Sequence, residues 1–283
     1  MESISFSIAG CEIRLLMPFR PEVTRGFQPF LCAPGEAPLT VSLLPVQALP
    51  EVRGRELLRN YAFAVFRTED GFFRVFHDRR EGDRPYAVGH LEQDGRETIE
   101  YLEADRGFFS ETANCFSHIA LEALLQRDAM ILHASFVSTR YGGLLFSGVS
   151  GIGKSTQADL WQRYEGAELL NGDRTVLRRM DGVWTAFGSP YAGSSNCFVN
   201  ESRPVRAIVL LSQGSACSLR RLSPAAAFRG LYAGMTVNLW DDRYVARVCD
   251  LLAALDVPVY ALTCTPDRAA VDCLKAELEH ETA

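Results

Sequence analysis

Apolar and polar residues alternate through roughly the first 105 positions of the chain. In ISFSIAGCEIRLLM (4–17) every second residue is apolar at first, the period of a strand with one buried face. LTVSLLPV (39–46) is a short apolar run. YAFAVFRTEDGFFRVFHD (61–78) carries two aromatic-rich runs around Glu69-Asp70-Gly71, and YAVGHLEQDGRETIEYL (86–102) repeats the arrangement around Asp94-Gly95. Acidic-glycine pairs between such runs predict hairpins, and the segment as a whole reads as an antiparallel sheet.

The period changes at 111–127. Phe116, Ile119, Ala120, Ala123 and Leu124 recur at helical spacing and predict an amphipathic helix. Strands follow at AMILHASFV and LLFSGV, joined by the turn STRYGG. A helix is expected from Thr156 to Tyr164, then a short strand AELLNGD ending at Asp173, then a hairpin turning at Asp181-Gly182. VRAIVLLSQG reads as a buried strand, SPAAAFRGLYAG and RYVARVCDLLAAL as helices, VPVYALTC as a strand, and PDRAAVDCLKAELEH as a closing helix. SLRRLSP is a basic run best read as a solvated strand edge. These elements predict an α/β (α+β) chain: a β-rich antiparallel region over 1–108, then a second domain over 109–283.

Composition narrows the function classes. A net charge of -6 argues against a nonspecific grip on nucleic acid, which needs a basic surface. No apolar stretch approaches the roughly 20 residues that span a bilayer, so no membrane partner is expected. MESISFSIAGCEIR lacks the basic start and apolar core of a signal peptide, which predicts a cytoplasmic protein. The eight cysteines form no CxxC pair and read as reduced, mostly buried thiols.

Chemistry enters at LLFSGVSGIGKSTQADLW (144–161). Gly148-x-x-x-x-Gly153-Lys154-Ser155 has the spacing of a phosphate-binding loop between a strand and a helix. Glycines allow successive backbone N–H groups to point inward around an anion, and the loop opens onto a helix N-terminus that favours negative charge. Gly148, Val149, Ser150, Gly151, Ile152, Gly153, Lys154, Ser155 and Thr156 are therefore the candidate nucleotide site. Lys154 reaches the β- and γ-phosphates, and the Ser155 hydroxyl takes Mg²⁺. Asp173 closes the strand after the loop's helix. If that strand runs parallel to the one before the loop, Asp173 stands beside the phosphates, where it can hold Mg²⁺ or accept a proton. His133, on the strand upstream, is a third candidate by its order in the chain.

ILHASFV, GLLFSGVSGIGKSTQ and AELLNGDRTVL, in that order, resemble the HPr kinase/phosphorylase family, the branch of P-loop proteins related to phosphoenolpyruvate carboxykinase. The resemblance runs from about Met130 to the C-terminus and implies a P-loop, HPr-kinase-like domain. It implies a serine kinase using ATP and Mg²⁺, acting on a carrier protein in the founding member and on peptides or free serine in relatives, and an oligomeric assembly. It makes Gly148 to Thr156 the nucleotide site and matches His133 and Asp173 to family positions. Asp173 aligns with the second of two adjacent aspartates; Gly172 stands where the first, the family's favoured proton acceptor, is expected.

Three consequences of Gly172 stay open at this level: Asp173 serves as base and metal ligand together, a later carboxylate such as Glu201 serves, or the chain binds nucleotide without transferring phosphate. GSPYAGSS (188–195) is a second small-residue loop that reads equally as an ordinary turn around Pro190 or as a loop that closes over a substrate or donates backbone N–H groups to the moving phosphate. Arg203 and Arg206 are candidates to stabilise transition-state charge, and Trp240 to pack on a nucleotide base or in a core. The leading expectation is an ATP-dependent kinase transferring the γ-phosphate to a serine-type hydroxyl of a peptide, protein or free serine. The alternative is a non-catalytic, nucleotide-dependent peptide-binding protein. A small-metabolite kinase of the adenylate-kinase type ranks lower, because the loop follows about 147 residues and no arginine-rich lid is evident.

Overall fold

The computed structural model describes residues 1–36, 39–92, 96–121 and 128–280, and the fold is mixed α/β. Two compact units are present: Met1–Leu125 with Asn238–Asp242, and Gln126–Val237 with Arg243–Ala283. The sequence expectation put the division at 108/109; the residues up to Leu125 belong with the first unit, where the Phe116 ring packs edge-on against Phe6 at 5.2 Å. Among the described residues no helix is long and apolar enough to cross a membrane.

In the first unit the strands are β1 (Glu2–Ile8), β2 (Cys11–Met17), β3 (Leu31–Cys32), β4 (Leu39–Val46), β5 (Arg55–Arg59), β6 (Phe63–Arg67), β7 (Phe72–Asp78), β8 (Arg84–Leu91) and β9 (Glu97–Leu102). They form one sheet in the order β3-β1-β2-β4-β9-β8-β7-β6-β5. β1 and β2 turn at Ala9 and Gly10, both at positive φ (52° and 75°), the backbone that matches a hairpin's twist. The hairpin around Glu69-Asp70-Gly71 forms between β6 and β7. β8 and β9 pair antiparallel, while Asp94-Gly95 lies outside the described residues.

Two expectations are corrected here. The sheet is mixed, because β4 pairs parallel with both β2 and β9. A parallel neighbour needs a long crossover, and the chain supplies one on each side of β4, over 18–38 and 47–96. The helix expected over 111–127 is not continuous: α1 covers Thr112–Ser117, and the chain leaves helical geometry at 118–120. Ala123 and Leu124 lie outside the described residues. Side chains take over the backbone there: Arg74 donates to His118 O at 2.5 Å, and Ala120 N donates to Glu97 Oε2 at 2.9 Å.

His118 is 6% exposed. Its Nδ1–H donates to Asn114 O at 2.7 Å, so Nε2 is left to accept from the Tyr86 hydroxyl at 2.6 Å. Burial lowers its pKa to about 4. The unfolded chain therefore takes a proton near pH 6.5 that the folded chain refuses until about pH 4. Stability is complete above pH 6.5 and falls as the pH drops through that window, by about 3 kcal/mol in total. Urea unfolding at a series of pH values is expected to show this slope in wild type and a flatter one in His118→Asn. Equal slopes would remove His118 as its source.

The second unit contains β10 (Ala129–Thr139), β11 (Gly142–Ser147), α2 (Lys154–Glu165), β12 (Glu168–Asn171), β13 (Arg174–Met180), β14 (Val183–Phe187), β15 (Ser202–Gln213), β16 (Ser218–Arg221), α3 (Pro224–Tyr232), α4 (Asp242–Ala253), β17 (Val259–Cys264) and α5 (Arg268–His280). The sheet order is β11-β10-β13-β14-β15-β17-β16, and β15 also pairs parallel with β11. Alternate residues of its strands point to two cores. Leu144, Phe146 and Val209 pack with Trp161 of α2 and Leu274 of α5. Leu145 and Ile208 pack with Leu231 of α3 and Val248 of α4. Each face of the sheet is thus covered by helices, which is why these strands read as near-continuous apolar runs. The hairpin at Asp181-Gly182 forms as its sequence predicts, and β16 (SLRR) is the edge strand.

Candidate functional site

β11 and β12 both run antiparallel to β10, which lies between them. They therefore point the same way, and the chain leaves both on the same edge of the sheet. On that edge β10 pairs Ala134 with Ser147, one residue before the loop. His133 sits beside this point, its carbonyl held by the Ser147 hydroxyl at 2.9 Å. Asp173 does not end a strand. It lies in a break between β12 and β13, which both pair with β10. Ala134 N donates to Asp173 O at 2.9 Å, and Ser135 Oγ to Gly172 O at 3.2 Å.

Three side chains follow from this geometry. His133 Nε2 lies 2.9 Å from Asp173 Oδ1. Burial lowers the His133 pKa, with Lys154 and Arg174 adding to the effect and Asp173 opposing it. At neutral pH the ring is uncharged, so Nε2–H donates to the carboxylate. Lys154 Nζ donates to Gly148 O at 3.1 Å and Val149 O at 3.2 Å. Burial lowers the pKa of its ammonium, and Asp173 pulls it back up.

The loop leaves bare backbone at two glycines. Gly151 and Gly153 take φ of 76° and 115°, and a Cβ on either would stand in open space. Their bare backbone therefore faces the cavity, and the first N–H groups of α2 have no partner within the helix. Gln213, at the end of β15, reaches Gly151 O and Ile152 O at 3.4 Å from behind.

A cavity of about 300 Å³ collects these groups. Its walls are Ser150, Gly151 and the Gly153–Thr156 run, then His133, Gly172 and Asp173, then Gly193 and Ser194. Gly148, Val149 and Ile152 are not in the wall. The first two offer carbonyls to Lys154, the Val149 side chain is 72% exposed, and Ile152 packs on the core under α2. Ser155 and Asp173 supply the oxygens that suit Mg²⁺. Among the described residues no cluster of three His, Cys, Asp or Glu forms a metal cage.

The Gly188–Ser195 loop reaches the site through a residue the sequence did not flag. Asn171 is fully buried, and its Nδ2 donates to Ser189 O at 3.1 Å and Tyr191 O at 3.2 Å. Its Oδ1 accepts from Asp173 N at 2.9 Å, so one amide ties the loop to the backbone of Asp173. The same loop accounts for Gly172. A Cβ there would overlap the Ser195 hydroxyl and lie 3.1 Å from Ala192 O. An aspartate at 172 has no room.

Other candidates fall elsewhere. Glu201 pairs with Arg203 at 2.9 Å, and Arg206 donates to Leu278 O at 3.3 Å. They stand at the start of β15, which pairs Leu210 with Ser147 in parallel, so about 13 Å (Arg206) to about 30 Å (Glu201) of strand separates them from the loop. Trp240 meets Phe72 at 4.9 Å between ring centres, within the first unit.

No protein-family model and no curated protein matches the chain. Among solved structures it is similar to the Hpr(Ser) kinase/phosphatase from Coxiella burnetii, at 14% identity and a TM-score of 0.34, over 54% of this chain and 94% of that one. This is a distant likeness. What the site can do follows from its own atoms.

Proposed function

We propose that the chain is a phosphotransferase that moves the terminal phosphate of a nucleoside triphosphate, ATP with Mg²⁺, to a serine-type hydroxyl of a peptide, protein or free serine. The observation that supports it is one cavity shared by a phosphate cradle and a His–Asp pair. In this reading the N–H groups of the loop and of the start of α2 bind the phosphates, and Lys154 offsets their charge. Mg²⁺, held by the Ser155 hydroxyl and the Asp173 carboxylate, would neutralise charge on the phosphate oxygens. Asp173 accepts the proton of the acceptor hydroxyl. His133 orients that carboxylate through its N–H. Catalysis of this kind rests on positioning and electrostatics.

The test is transfer of labelled γ-phosphate to serine and to a seryl-peptide library. Wild type is expected to label an acceptor well above Lys154→Ala. Equal labelling by the two would end the proposal, and tight nucleotide binding without any label would leave a nucleotide-dependent binding protein. A pH profile gives a second reading. Below its lowered pKa the His133 ring becomes a cation that holds the Asp173 charge and makes it a poorer proton acceptor. Transfer is expected to fall on the acid side with a midpoint below pH 6.5, and His133→Asn should lose that limb.

A further inference from the structure

We infer that Ser194 is itself an acceptor: the chain phosphorylates its own Gly188–Ser195 loop in cis. The inference rests on the phosphotransferase reading of the same cavity. Ser194 is exposed in the cavity wall beside Asp173, and among the described residues its hydroxyl has no hydrogen-bond partner. The neighbouring serines differ. Ser195 donates to Ala192 O at 2.6 Å and accepts from Cys197 N at 3.3 Å, while Ser189 donates to Arg174 O at 2.5 Å. Ser150, Ser155 and Thr156 also line the cavity, but they belong to the cradle, on the side of the phosphates being held.

Position supports the role as much as freedom does. Gly193 presses on the base: a Cβ there would lie 2.9 Å from Asp173 Cβ and 3.4 Å from its Oδ2. Ser194 is the next residue, so its hydroxyl is carried by backbone already packed against the proton acceptor. That backbone is held on both sides. Asn171 fixes Ser189 and Tyr191, Arg174 N donates to Tyr191 O at 3.3 Å, and Ser195 closes the turn onto Ala192. A nucleophile fixed in this way reacts as a unimolecular partner, with the advantage that such pre-positioning gives.

The chemistry balances without further reagents. A bond forms from Ser194 Oγ to the terminal phosphorus of the bound nucleoside triphosphate as the bond to the bridging oxygen breaks. The hydroxyl proton passes to Asp173, and the nucleoside diphosphate leaves.

The test uses the full chain with ATP and Mg²⁺, followed by peptide mapping by mass spectrometry. One phosphate is expected on Ser194, at a first-order rate that does not change with protein concentration. Ser194→Ala should lose it and Ser194→Thr should keep it. In a mixture with Lys154→Met, phosphate should appear only on chains with Lys154 intact. Phosphate on another residue, or on the Lys154→Met chain, overturns the inference. Wild type that labels added peptide but leaves Ser194 unmodified overturns it while the phosphotransferase reading stands. Absence of label in both ends the two together.

Discussion

Asp173→Asn is expected to lower phosphate transfer by about two to four orders of magnitude, the usual share of a positioned general base. The change is close to isosteric. The Asn Oδ1 can still accept from His133 Nε2–H, and the backbone contacts to Asn171 and Ala134 do not involve the side chain. What is lost is the charge that, in the proposed reaction, would take the hydroxyl proton and hold the metal. Nucleotide affinity in the absence of Mg²⁺ should hold or rise, because a negative group leaves the phosphate cavity. The expected signature is a large fall in kcat with little change in KM for nucleotide. Isothermal calorimetry with and without Mg²⁺, beside the transfer assay, separates the two effects. A variant that keeps transfer within tenfold of wild type would remove Asp173 from the chemistry.

The second large effect belongs to the first unit. Arg74 is 5% exposed and Glu97 1%, and the two form a buried ion pair. Arg74 also serves His118 O, and Glu97 serves Ala120 N, so the pair holds the end of α1 to the sheet. Arg74→Leu takes the guanidinium away from a buried carboxylate, with an expected loss of about 3–5 kcal/mol. Adding Glu97→Gln removes the buried charge and keeps an acceptor for Ala120 N, so the double variant should recover a large part of the loss. Urea unfolding of the wild-type, single and double variants measures this. A double variant as unstable as the single would show that the buried charge is not the cause.

The sequence made the cradle plain, because spacing alone places glycines, lysine and hydroxyl at a strand-to-helix joint. It also offered His133 and Asp173 as candidates, and β10 brings the two side chains within 2.9 Å of each other. It did not show that Asp173 sits in a break between two strands, since LLNGDRTV carries no turn longer than Gly172 itself. The part played by Asn171 was invisible for a different reason: an asparagine before a glycine reads as a turn residue, and only the fold reveals that it is buried and holds a distant loop. Gly193 and Ser194 belong to that loop, which the sequence offered as a cover for a substrate without singling out either residue. In the first unit, strict alternation did carry a signal. Arg74 is in phase with Phe72 and Phe76, and Glu97 with Ile99 and Tyr101, which puts both charges on the buried face. The parallel pairings of β4 have no such signature, because periodicity reports which face is buried and not which neighbour is chosen.

Asn238–Asp242 belongs to the first unit although the chain on either side builds the second. The gene therefore cannot be divided by a single cut into two self-sufficient halves. A fragment ending at Leu125 lacks the indole that meets Phe72, and one starting at Gln126 carries a stretch whose native surroundings are missing. Any recombinant that exchanges the front unit between relatives has to carry these few residues across with it.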